Sequence, residues 1–126
     1  YGYEDILPSM AITTEEFFQS LADPTRLRCL LLLAREGELC VCELQHALGE
    51  PQPKVSRHLA MLRSAGVVRD RRDGQWIHYT LHPDLPAWAQ QTLAVVARGN
   101  ANVEPFARDR RRLKTMIDRP SARRCA

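Results

Sequence analysis

The feature that most constrains this chain is an ordered series of breakers between residues 37 and 74. Gly49, Gly66 and Asp73-Gly74 cut that stretch into two short helical segments followed by two strand-like ones. The first helical segment spans about Val41 to Leu48 and ends at Gly49. After Glu50-Pro51-Gln52-Pro53, a second runs from about Pro53 to Ala65 and closes at Gly66. Val67 to Arg72 and Gln75 to Leu81 then read as strands, joined by the Asp73-Gly74 dipeptide favoured in two-residue hairpins. In the second strand Ile77, Tyr79 and Leu81 alternate with His78 and Thr80, as a half-buried sheet requires. Two short helices in tandem followed by a hairpin is the winged helix-turn-helix order.

The flanks extend that core. Thr13 to Glu16 forms a capping box ahead of Phe17, Phe18 and Leu21, which predicts a short first helix. Asp23-Pro24 stops it and opens a second, in which Leu27, Leu30, Leu31 and Ala34 recur at helical spacing up to Gly37. A fifth helix is expected over Asp84 to Arg98, and a sixth from about Glu104 to Asp118. The expected fold is mainly α with a small β-hairpin, in the order α-α-α-α-β-β-α-α.

The 126 residues suit one domain, expected over 13–118. Residues 1–12 read as a disordered leader or expression remnant, with Met10 a candidate start, and 119–126 as a flexible basic tail. No apolar run approaches the roughly 20 residues needed to cross a bilayer, and no signal-peptide pattern opens the chain. The expectation is a cytoplasmic protein with no membrane partner.

The net charge of +3 conceals an asymmetry: three basic against nine acidic residues over 1–50, six against two over 51–82, and nine against four over 83–126. The basic middle coincides with the helix at 53–65. There Val55, Leu59 and Leu62 share one side, while Arg57, Ala60 and Ser64 lie opposite, flanked by Lys54, Ser56 and Met61. A small, basic face near a helix N-terminus suits insertion into a major groove. Arg57 has the fork to bind guanine, and Ser56 with the helix amides can hold phosphate. Gln52 precedes the helix within reach of a base edge. His58, at the border of the buried side, either packs or joins this face. The hairpin tip, with Arg71, Arg72 and Gln75, forms a basic wing suited to a backbone or minor groove. The partner these residues point to is double-stranded DNA.

Four cysteines remain: Cys29, Cys40, Cys42 and Cys125. In a reducing compartment they do not read as a disulfide scaffold. Cys40-Val41-Cys42 opens the helix that precedes the DNA-facing one. On a regular helix residues two apart diverge by about 200°, so both sulfurs meet one ion only if this turn is extended or distorted. A helix N-terminus lowers thiol pKa values, so ready thiolates are expected there, and thiolates prefer soft acceptors. Ligation at this place must disturb the helix-turn-helix, which supplies a switch. Cys29 lies in the packed second helix and reads as a core residue.

At this point the chain resembles the ArsR family of metalloregulatory repressors. The matching residues are Asp23-Pro24-Thr25-Arg26-Leu27, Glu38-Leu39-Cys40-Val41-Cys42-Glu43-Leu44, Val55-Ser56-Arg57-His58-Leu59, Leu62-Arg63-Ser64-Ala65-Gly66-Val67-Val68 and Arg72-Asp73-Gly74-Gln75-Trp76. The resemblance covers about Glu15 to Val96. It implies a homodimer joined through the first and fifth helices, a palindromic operator in a resistance-operon promoter, and derepression by metal. The Cys40-Val41-Cys42 element matches the arsenic-sensing branch, whose inducers are As(III), Sb(III) or methylarsenite, with no permanent cofactor. Many such sensors carry a third cysteine where this chain has Gln45. Cys125, Cys29, a solvent thiol or no ligand then completes the site, and two sulfurs alone would favour methylarsenite. The cadmium and lead branch adds N-terminal cysteines that Tyr1 to Phe18 lack. The zinc branch uses Asp, His and Glu on the fifth helix, where only Asp84 is found. His78 and His82 read as surface or strand residues.

Three other readings stay in view: a thiol–disulfide sensor on Cys40 and Cys42, a cadmium- or lead-responsive repressor of the same fold, and a constitutive architectural DNA binder. Cys-x-Cys disulfides are strained, and no βαβ unit accompanies the pair. No nucleophile–base set, carboxylate pair or phosphate loop has credible context, so catalysis is not expected.

Overall fold

The computed structural model describes residues 12–121; most of the expected leader and Cys125 lie outside the described residues. Two N-capped helices open the chain. In α1 (Thr14–Leu21) the Thr13 amide donates to Glu16 Oε1 at 2.9 Å and the Glu16 amide to Thr13 Oγ1 at 3.1 Å, the expected capping box. In α2 (Pro24–Glu36) the amides of Thr25 and Arg26 donate to Asp23 Oδ2 at 2.9 and 3.0 Å. Burial alone would raise the Asp23 carboxyl, but the Arg26 amide, the nearby His58 and the Thr25 amide outweigh it and hold it below its ordinary value.

A short strand, β1 (Glu38–Cys40), leads directly into α3 (Val41–Leu48), and α4 (Gln52–Ser64) follows. β2 (Val68–Asp73) and β3 (Trp76–Leu81) form the hairpin, α5 (Ala87–Gly99) packs against α2, and α6 (Phe106–Lys114) packs across α3 and α2. The sheet is antiparallel with strand order β1-β3-β2, and Cys40 stands opposite His78 in the β1–β3 register. The chain is therefore mainly α with a small sheet, as expected, but that sheet has three strands rather than two.

Several boundaries differ from the sequence reading for local reasons. Asp73 is the last paired residue of β2, opposite Trp76, so Gly74-Gln75 forms the two-residue loop rather than Asp73-Gly74. Gly74 has φ +62° and Gln75 is not in the positive-φ region, the arrangement of a type II′ turn with glycine first. Gln52 is the first residue of α4 rather than lying ahead of it, and Pro51 caps it. Pro86 delays the start of α5 to Ala87, and α6 is confined to Phe106–Lys114. Arg119, Pro120 and Ser121, placed by the sequence in the tail, are packed against the body of the protein.

The core is built on Leu30, Leu31, Leu32 and Leu33 of α2, joined by Phe17, Leu39, Leu44, Leu59, Leu62, Leu93 and Leu113. Each fully buried leucine contributes on the order of 1.5–3 kcal/mol. One buried ion pair ties three helices together. Arg28 of α2 donates from Nε to Asp109 Oδ2 at 2.8 Å and from Nη2 to Asp109 Oδ1 at 2.7 Å, and also to the Leu48 carbonyl at 2.9 Å. That last bond caps the end of α3, so the pair fixes α6 against the helix-turn-helix.

Candidate functional site

Cys40 is at once the last residue of β1 and the N-cap of α3, with extended φ −76° and ψ 156°. Cys42 is on the first turn of α3. Because Cys40 is extended rather than helical, the two side chains do not diverge, and their sulfurs lie 3.2 Å apart in a thiol–thiol contact. Pairing of β1 with β3 holds this conformation from one side. Glu43 holds it from the other, accepting the Cys40 amide on Oε1 at 2.7 Å. Cys40 is buried and Cys42 half-buried, opening onto a groove of about 460 Å³ lined also by Gln45, His46, Gly49, Glu50, Arg112 and Met116.

The expected ready thiolate is not what this environment supports. Burial, the Cys40 sulfur and the Glu43 carboxylate together push the Cys42 thiol up to about 12, overriding the helix-terminus effect. Cys29 is fully buried among the core leucines, and burial likewise pushes it up to about 12. It is a core residue. Among the described residues, no group of three or more His, Cys, Asp and Glu side chains is arranged to hold a metal ion. The described part of the site offers two sulfurs.

Around the pair lies a polar shell to which sequence reasoning assigned no role. Glu43 is fully buried; its second oxygen accepts from Arg119 Nε at 2.8 Å, and Arg119 also reaches Glu36 at 3.7 Å. His78 is fully buried, not the surface or half-exposed residue that alternation implied, because Ser121 covers its face of the sheet with Oγ 3.0 Å from Nδ1. The spacing of Glu43, three residues after Cys40, carried the signal of a capping-box partner. Arg119 and Ser121 are distant in sequence and gave none.

The helix and wing that the sequence pattern assigns to DNA expose several of the assigned side chains. Val55, Leu59 and Leu62 are fully buried, while Gln52 and Arg57 of α4 are exposed. Gln52 Nε2 donates to Ser56 Oγ at 2.9 Å, and Lys54 Nζ to Glu50 Oε1 at 3.0 Å, so these side chains are ordered at the helix start. Two residues depart from the expected set. His58 is buried, with Nδ1 3.6 Å from Asp23 Oδ2, and burial lowers its pKa; it locks α4 to the start of α2 and does not face outward. Arg71 donates from Nε and Nη2, one edge of its guanidinium, to the two oxygens of Glu38 at 2.8 and 2.7 Å, and tethers β2 to β1 across the sheet. Arg72 and Gln75 at the wing tip are exposed.

Comparison with known proteins agrees with this geometry. Residues 23–70 match the model of the bacterial regulatory protein arsR family. An arsenic resistance transcriptional regulator of Pseudomonas putida is 53% identical over 111 residues, covering 88% of this chain and 85% of the relative. The arsenical resistance operon repressor of Escherichia coli is 54% identical over 78 residues, or 62% of this chain and 67% of that one. Among solved structures, the AntR antimony-specific transcriptional repressor superposes with a TM-score of 0.55 at 35% identity, covering 68% of this chain and 79% of that one.

Proposed function

The chain belongs to the arsR family of bacterial regulatory proteins, and from that premise we propose that it represses an arsenic-resistance operon and releases its operator when trivalent arsenic or antimony binds Cys40 and Cys42. The observation that carries this reading is the 3.2 Å approach of the two sulfurs at the entrance to the helix-turn-helix. Arg57, Gln52, Lys54 and Ser56 read the operator from α4, and Arg72 and Gln75 contact it from the wing. Arg57→Ala should weaken operator binding by about 1–3 kcal/mol, measured by gel shift at fixed salt; a smaller loss would move base reading elsewhere. The protein acts as a homodimer through α1 and α5. Support comes from the exposed apolar residues on those helices, Phe18, Trp88 and Val95, beside the edge-on stacks of Phe17 on Phe18 and Trp88. No helix among the described residues is long and apolar enough to cross a membrane.

The ion's chemistry suits these thiols. Arsenous acid arrives with hydroxyl groups: each thiol hydrogen joins a hydroxyl and leaves as water while a sulfur–arsenic bond forms, so no proton passes to solvent. A divalent cation brings no such acceptor, and both protons must be expelled from a pair in which Cys42 is raised to about 12. The sign follows. Below the thiol pKa, apparent affinity for a cation such as Cd(II) should climb with pH by up to ~100-fold per unit for two released protons, while that for arsenite should change by less than about threefold from pH 6 to 8. Both arsenical and cadmium arms are read as operator release in a gel shift, with methylarsenite as a third arm. Two sulfurs satisfy methylarsenite completely, its methyl group taking the third position, whereas arsenite needs Cys125, a solvent thiol or a retained hydroxyl. Release by Cd(II) at lower concentration than by either arsenical at pH 7 would overturn the arsenic assignment in favour of the cadmium and lead reading.

Release follows from the scaffold. A bond from each sulfur to one atom ties the first turn of α3 rigidly to the end of β1, replacing a thiol contact that can open with a bridge that cannot. Because α3 aims α4 and β1 carries the wing, the bound state fits the operator less well, and DNA weakens metalloid binding by the same factor.

A further inference from the structure

Helix α6 lies outside the stretch matched by the family model and carries the densest positive charge of the chain. Arg108, Arg111 and Arg112 recur at three- and four-residue spacing and are all exposed, so they share one outward face. The opposite side is anchored: Asp109 is buried on Arg28, and Leu113 is buried in the core. Arg111 pairs with Glu104 at 3.0 Å on the surface, whereas Arg108 and Arg112 form no ion pair within 4 Å among the described residues.

The position of this face matters more than its charge. Arg112 lies against Gly49, the residue that turns α3 toward α4; a methyl group there would stand 2.7 Å from Arg112 Nη2. His46 of α3 bonds Thr115 just past α6 at 3.0 Å, fixing the two helices side by side. In a helix-turn-helix the start of the second helix is at the groove, so the turn before it lies close to the duplex backbone. Arg112 therefore stands beside the turn that leads into the basic start of α4, with Arg108 one helical turn earlier in α6.

We propose that Arg108 and Arg112 of α6 bind phosphates of the duplex flanking the site read by α4, enlarging the footprint of the domain beyond the helix-turn-helix and wing. This rests on the DNA-binding reading above and adds a contact to it. Phosphate contacts position the protein without reading sequence, and each one neutralised contributes about 0.9 to the slope of log K against log salt.

The test uses the full-length protein and a random-sequence 40-base-pair duplex, with affinity measured across a potassium chloride series. Arg108→Gln/Arg112→Gln should flatten the salt slope by about 1.8 for each protomer engaged while unfolding at the same urea midpoint as wild type. Arg108→Lys/Arg112→Lys, which keeps both charges, should restore most of the slope. An unchanged slope in the glutamine variant, with wild type binding normally, would overturn this contact alone. Failure of wild type to bind any duplex would overturn the DNA-binding reading together with it.

Discussion

Replacing both of the proposed sensor thiols, Cys40→Ser/Cys42→Ser, should leave operator affinity within about twofold of wild type and abolish metalloid-induced release, a loss of the whole coupling of roughly 5–150-fold. The substitution removes the soft donors and little else. Cys40 holds its place through its backbone, in the β1–β3 register and in the 2.7 Å bond from its amide to Glu43, and serine supports both. Serine is also a better N-cap than cysteine, so α3 should start where it does now. A gel shift with arsenite from zero to saturation reads the outcome. If the double variant still releases DNA, the sensor lies elsewhere in the chain. If it no longer binds DNA at all, the cysteines are structural.

The largest effect on stability should come from Asp109→Ala, at about 3–5 kcal/mol. Asp109 is almost fully buried and accepts from Nε and Nη2 of Arg28 on its two oxygens. That hydrogen-bonded carboxylate outweighs burial and holds Arg28 above its ordinary pKa, with Glu50 at 3.6 Å adding to it. Removing Asp109 strands a charged group that cannot shed its proton, and Glu50 is too exposed to replace the lost partner. The Arg28 bond to the Leu48 carbonyl would loosen as well, so α6 and the end of α3 should separate first. Urea unfolding at one fixed protein concentration measures the change, since dissociation of a dimer would otherwise enter the midpoint. A loss below about 1 kcal/mol would show that the pair is no better than the surface bridge between Arg111 and Glu104.

What could be read from the sequence was what depends on near neighbours. The Thr13–Glu16 box, the Asp23-Pro24 start, the apolar side of α4 and the glycine-bounded helix-turn-helix rest on contacts three or four residues apart, and these are present. Strand β1 escaped because three residues contain no period to detect; it exists only through pairing with β3, some forty residues away. The same missing strand explains the cysteines. Helical geometry placed their sulfurs apart, and the extended backbone that joins them is imposed by the sheet. Arg71 and His58 looked available for DNA because their partners, Glu38 and Asp23, are more than thirty residues distant. His78 looked half-exposed because the Ser121 segment that covers it returns from beyond α6. The raised Cys42 thiol belongs to this class too, since burial is a property of the whole packing.

Because Cys40 ends the strand that braces the wing and caps the helix that supports the reader, an atom bound there as proposed would tie two separate grips to each other at once. An operator that leans on the wing and one that leans on base reading should thus both be released by the same inducer. The depth of silencing would then be adjustable through the operator alone, with the protein unchanged.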